Sequence, residues 1–368
     1  MRRRTACYVV TFFCIFYVYL KWSDDNTNAS ALRQPSRINL ITNKIKAEEP
    51  MVCNDELMTY KHKLSNGTVL TGITFNCSDF HYLQQFDLLK PVKSQNVRIE
   101  DVTFVIGADA TYYGPSRAVI AGIRNYFGAK PRIIYYDLGG TLDNPRNVDE
   151  MTGICNFDAR RFDFNQLPEN VRGLKVFAWK VLILAELYKE FKTFFYLDSS
   201  IFFESGDFQA FYDLINNGSI TPFQMSGDTG HSIRHATNIG MYKYLPLDPT
   251  LDRDHDMLEA NMMLIHKNDA TREILKWAVL CAVTRDCIEP PGSVLGCSHE
   301  GPDTPEGGCN RQDQSIFNIL VANLEKTWIN AGRSVITHIQ PNHPKNSRQR
   351  HSTVRMQSTR EKIDTCRK

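Results

Sequence analysis

The stretch Thr193-Phe194-Phe195-Tyr196-Leu197-Asp198-Ser199-Ser200 decides how the rest of the chain is read. Its first five residues are apolar or β-favouring, long enough for a buried strand and too short for a helix. Asp198 follows at once, so a rigid strand delivers a carboxylate to the edge of a sheet. Upstream, Leu174, Phe177, Val181, Leu184 and Tyr188 recur at helical spacing and predict a helix with one apolar face. Further back, Val102 to Ile106 reads as a short buried strand. Pro115 to Phe127 reads as a helix that Gly128 ends, and Arg132 to Tyr136 as a second strand closed by Asp137-Leu138-Gly139-Gly140. Downstream come a helix around Asp207 to Ile215, a strand from Ala260 to Ile265 and a helix from Ala270 to Val283. Strands alternating with helices predict an α/β fold, a mostly parallel sheet flanked by helices.

In an open parallel sheet, ligands bind outside the carboxyl ends of the strands. Asp109, Asp137 and Asp198 each follow a predicted strand. Aspartate is also common in turns and at helix caps, and that reading competes for Asp109 and Asp137. For Asp198 the strongly apolar strand before it favours function.

The N-terminus sets the compartment. Arg2, Arg3 and Arg4 precede an apolar run from Thr5 to Leu20, which Lys21, Asp24 and Asp25 end. A basic flank before an apolar run keeps the N-terminus cytoplasmic and sends the rest into a lumen. The run is short beside the roughly 20 residues of a usual span. A cleaved signal peptide is the competing reading, but no small-x-small cleavage site follows Leu20. Sequons at Asn28, Asn66, Asn76 and Asn217, with eight cysteines outside the apolar run, agree with an oxidising lumen. Of these cysteines, Cys53 and Cys77 are a candidate pair. The net charge of +2 gives no reason to expect a nucleic-acid partner.

These features divide the chain into a cytoplasmic tail and signal-anchor (1–22), a polar stem (23–50) and a small lumenal cap (51–98). An α/β body (99–345) and a basic polar tail (346–368) follow. The loop from Glu289 to Asn310 is rich in Gly and Pro; an ordered loop that long is functional or disulfide-held.

An apolar strand ending in Leu-Asp-x-[Ser or Asp], after a helix containing Trp-Lys, resembles the GT-A class of glycosyltransferases. The matching segment runs from Ala178-Trp179-Lys180 to Tyr196-Leu197-Asp198-Ser199-Ser200-Ile201. Tyr135-Tyr136-Asp137-Leu138-Gly139, Glu259 to Ile265, and Arg311-Gln312-Asp313-Gln314-Ser315 with Asn318 also resemble segments of that class. Over residues 95 to 345 the chain is similar, more closely, to a nematode-rich animal family of single-pass proteins beside these transferases, a family with no established reaction.

The resemblance implies a GT-A-like fold and a divalent cation, Mn²⁺ or Mg²⁺, held against the diphosphate of a nucleotide-sugar donor. Asp198, Ser200 and His338 are the implied metal ligands; for His338 a surface or capping histidine is the favoured alternative. Asp109, Asp137, Lys180 and Asp198 are the implied donor-binding residues; for Lys180, as for Arg117, a solvated helix face is the competing reading. Ser200 stands where the usual motif has a second carboxylate, and a neutral hydroxyl is a weaker ligand. Asp313 is the candidate catalytic carboxylate, as a base for the acceptor hydroxyl or its positioner; a first-turn acid favoured by the helix dipole is the alternative. Asp228, His231 and His235 could line the acceptor site, whereas the Asp252, Asp254, His255 and Asp256 run reads as a solvated loop.

The implied function is transfer of a sugar from a nucleotide-sugar to a glycan or glycoprotein acceptor, by a type II single-pass protein with its body in the Golgi lumen. A catalytically inactive lumenal nucleotide-sugar or glycan-binding protein on the same fold is the alternative. A glycan hydrolase with paired carboxylates is a third class, for which no motif appears.

Overall fold

The computed structural model describes residues 52–203, 205–301, 304–346, 353–355 and 363. The expected anchor and stem, with Cys7, Cys14 and Asn28, lie outside them. Among the described residues no helix is long and apolar enough to cross a membrane.

Six strands form the central sheet: β1 (Val102–Ala108), β2 (Ile133–Asp137), β3 (Phe157–Arg161), β4 (Thr193–Leu197), β5 (Phe223–Met225) and β6 (Met262–His266). Their order is β5-β6-β4-β1-β2-β3. β1 to β4 run parallel. β6 is antiparallel to β4, and β5 to β6. The chain steps outward from β1 through β2 to β3, then returns to place β4 on β1's other side. The order therefore reverses between β1 and β4, where Ile106 lies opposite Leu197. Such a reversal opens a crevice at the strands' carboxyl ends.

Alternate residues of each strand point to opposite faces. Val105, Ile134, Tyr136, Phe194 and Tyr196 join one apolar cluster. Phe104, Ile106, Ile133, Tyr135, Phe195 and Leu197 join the other. Helix α1 (Tyr113–Phe127) covers the second face. Helices α2 (Ala178–Glu190), α3 (Asp269–Val283) and α4 (Asp313–Asn330) pack over the first. A sheet covered on both faces needs continuous apolar strands, which is why the Phe-Phe-Tyr-Leu run was legible.

Helix α2 departs from its expected pattern. Ala178 to Ala185, Leu187 and Tyr188 are all buried, so it has no solvent stripe. It lies between the sheet and α3, and apolar neighbours surround it. Phe177 is not in the helix; it caps it in the left-handed conformation, with φ 59°. Gly107 on β1 admits α2 closely, since a Cβ there would stand 3.0 Å from the Trp179 ring.

Residues 52–98 share the first cluster through Met58, Tyr60, Phe75, Leu83 and Phe86. The rings of Tyr60 and Phe75 meet Trp277 of α3. Disulfides join Cys53 to Cys77, Cys281 to Cys287 and Cys297 to Cys309. Within the segment read as a polar tail, Thr353–Arg355 pairs antiparallel with Ile201–Phe203.

Candidate functional site

Lys180 is the first-turn residue around which the site is built. Left-handed Phe177 starts α2 abruptly, and the helix aims Lys180 at the carboxyl end of β4. Its ammonium lies 3.1 Å from Oδ1 of Asp198 and 3.0 Å from Oδ2 of Asp313. It also donates to the Ala260 carbonyl at 3.0 Å. Three donors thus meet three acceptors. The rings of Phe177 and Tyr196 stand 5.4 and 5.3 Å from the ammonium. Burial works to lower the lysine's pKa, but the Asp198 and Asp313 carboxylates outweigh it and hold the group above its ordinary value. Lys180 is therefore a fixed cation.

The two carboxylates differ in access. Asp313 opens α4 and is 5% exposed, whereas Asp198 is 34% exposed. Burial raises the Asp313 pKa against the opposing pull of Lys180. Burial, then the same two carboxylates, also pushes the Tyr196 hydroxyl well above its ordinary range. The Asp198 backbone N–H donates to the Asn261 carbonyl at 2.7 Å, which ties the end of β4 to the start of β6.

A small cavity of about 50 Å³ opens beside this cluster. Phe177, Lys180, Asp198 and Asp313 line it, with Asn261, Arg311, Gln314, Ala260 and Leu295. Asn261 is buried, and its Oδ1 has no hydrogen-bond partner. The loop from Glu289 to Asn310 reaches the cavity with Leu295. The Cys297–Cys309 disulfide ties the second half of that loop, and just before it the Leu295 carbonyl accepts from Arg311 Nη1 at 3.3 Å. The His235 ring faces the Pro305 and Ser298 carbonyls and so holds the same loop.

The structure thus brings together Lys180, Asp198 and Asp313. Asp109 lies at the end of β1, but its Oδ1 accepts from the Thr111 and Tyr112 N–H groups as a cap. Asp137, 3% exposed, accepts from the Gly139, Thr141 and Leu142 N–H groups and so closes the turn after β2. Neither lines the cavity. Ser200 is half-buried in the turn after β4. His338 faces other partners: Nδ1 lies 3.4 Å from Glu325, and Nε2 donates to the Asp256 carbonyl at 3.1 Å. His255, read as part of a solvated loop, is instead buried with its ring 4.8 Å from that of His338. Asp228 pairs with Lys345 at 2.7 Å.

This donor set does not fit a divalent cation. Such an ion takes about six oxygen ligands. The Lys180 ammonium holds an oxygen of each carboxylate, Ser200 is neutral, and both His338 nitrogens face other groups. Among the described residues no three His, Cys, Asp or Glu side chains could hold a metal together.

Asn261, Arg311 and Gln314 were not singled out from the sequence, although the segments containing them were. The missing signal was a backbone one: Gln312 has φ 49°, and this turn precedes α4 and separates Arg311 from Asp313.

A family described as a protein of unknown function (DUF1647) matches residues 55–185. No curated protein matches the chain. Among solved structures, the chain is similar to the apo form of WbbM, a bifunctional glycosyltransferase, at 15% identity and TM-score 0.38, over 63% of this chain and 38% of that one. It thus spans little more than a third of WbbM's length. It is also similar to the galactosyltransferase LgtC in complex with donor and acceptor sugar analogs, at 15% identity and TM-score 0.33, over 60% of this chain and 70% of that one. A third structure is apo mouse xyloside xylosyltransferase 1, at 8% identity and TM-score 0.36, over 64% of this chain and 84% of that one.

Proposed function

We propose that the protein is a glycosyltransferase that moves a sugar from a nucleotide-sugar donor to a glycan or glycoconjugate acceptor. The carrying observation is the cavity at the carboxyl end of β4, beside the point where strand order reverses. It presents the open carboxylate of Asp198 and the unpartnered Oδ1 of Asn261. Both accept hydrogen bonds, and sugar hydroxyls donate them. Phe177 adds an aromatic ring to the same wall. The nucleoside would lie over the ends of β1 and β2, on loops that Asp109 and Asp137 hold in shape. Lys180 positions both carboxylates, and Asp198, the more open of the two, meets substrate. Asp313 supports that arrangement from the start of α4.

A lumenal body supplies the compartment in this reading. The disulfides agree with an oxidising lumen. The sequon residues Asn66, Asn76 and Asn217 are all exposed. The N-terminal segment would anchor this body to a Golgi or other secretory membrane.

The second reading is a binding protein without catalysis on the same site. Ser200 in place of a second acid, with Asp198 already paired to Lys180, favours it.

Saturation-transfer NMR with a panel of UDP- and GDP-sugars tests donor recognition. Binding of at least one donor, weakened about tenfold or more in Asp198→Asn, supports the transferase or the silent binder. Silence across the panel contradicts both, and donor turnover separates them.

A further inference from the structure

We infer that this site takes its donor without a divalent cation, with Lys180 standing against Asp198 where an ion would stand and Arg311 meeting the diphosphate. The inference rests on the nucleotide-sugar reading of the cavity.

The first observation is the place of the lysine. A bound cation would neutralise and orient the carboxylates beside it. Lys180 already does both for Asp198, at 3.1 Å, from the buried first turn of α2. Its ammonium is fully coordinated by Asp198, Asp313 and the Ala260 carbonyl, so it cannot swing away without stranding two carboxylates. A divalent ion on the same carboxylate would have to share it with this cation.

The second observation is Arg311. It lines the same cavity, half-buried, and among the described residues no carboxylate lies in ion-pair range of it. Nη1 donates to the Leu295 carbonyl, a bond that orients the guanidinium. A planar, permanently charged fork suits phosphate oxygens. The Leu295 carbonyl, two residues before the Cys297–Cys309 bridge, therefore holds a cation at the cavity wall. Asp198 is left to touch sugar hydroxyls directly.

The test titrates the full-length protein with UDP and with GDP in a calorimeter, once in excess EDTA and once in excess Mn²⁺. Affinities agreeing within about threefold between the two conditions are expected. In Arg311→Met, with the thermal midpoint checked to confirm folding, affinity should fall about tenfold or more. Binding that needs Mn²⁺ overturns the inference and leaves the transferase reading standing. Binding of neither nucleotide in either condition overturns both. Undiminished binding by folded R311M overturns the role of Arg311. The EDTA comparison needs no variant, so it decides the cation question even if R311M misfolds.

Discussion

The ammonium of Lys180 lies 3.1 Å from Oδ1 of Asp198, so the acid at the end of β4 is held from behind by the buried helix α2. Asp313 shares the same ammonium from the start of α4. One lysine thus joins the sheet to two helices and keeps two acids in register beside a cavity.

Removing that lysine should be costly. Lys180→Met leaves the buried Asp313 carboxylate without its cation, beside the more open Asp198, and breaking a buried pair costs about 3–5 kcal/mol. Urea unfolding followed by circular dichroism measures it. Unchanged stability would mean that the three groups do not interact in solution.

Asp198→Asn separates stability from function. The side chain is 34% exposed and its amide still reaches Lys180, so the fold should persist. Donor affinity should drop about tenfold or more, since a charged acceptor for hydroxyls is lost. A folded variant that binds donor like wild type would remove Asp198 from the site.

His338 gives a pH signature away from the cavity. Burial works to lower its pKa, but the Glu325 carboxylate and the Asp256 carbonyl outweigh that and raise it above 6.5. A raised folded value means that the imidazolium's stabilisation is complete below pH 6.5 and is lost as pH rises through the folded pKa. The difference in Tm between wild type and His338→Gln should be larger at about pH 6 than at about pH 8. A difference that grows with pH would contradict the pairing with Glu325.

The Cys297–Cys309 bridge should matter more for binding than its short loop suggests. The sequence separation is 12, and a bridge of that span stabilises by about 3 kcal/mol in the chain-entropy view. The double variant Cys297→Ser, Cys309→Ser should lower Tm and also weaken donor binding, because the bridge anchors the chain two residues after Leu295, whose carbonyl orients Arg311, and two residues before Arg311 itself. Calorimetry on the variant reads both. Lower Tm with unaltered affinity would place the loop outside the site.

Much of the sheet was legible. Thr193–Leu197 matches its expected bounds, and Val102 to Ile106 falls within β1, because strands buried on both faces must be apolar throughout. Edge strands lack that demand: β3 reads Phe-Asp-Ala-Arg-Arg, half-exposed, and went unseen. β5 spans only three residues. The antiparallel turn of β6 leaves no trace in composition. In the site, Asp198 stood out by its position after an apolar strand, whereas Lys180 and Asp313 entered through the resemblance to GT-A transferases. Asn261 and Arg311 did not, since their roles depend on turns that bring distant segments to one cavity. The expected metal set joined His338 to Asp198 by analogy, and His338 instead pairs with Glu325 of α4.

The central claim is sugar transfer, and donor turnover tests it most directly. Purified full-length protein is incubated with single UDP- and GDP-sugars and mixed glycan acceptors, and released nucleoside diphosphate is followed by chromatography. The account predicts release from at least one donor, undiminished in EDTA and lost in Asp198→Asn. No release from any donor, with intact folding and with nucleotide bound, would contradict transfer and leave a binding protein in its place.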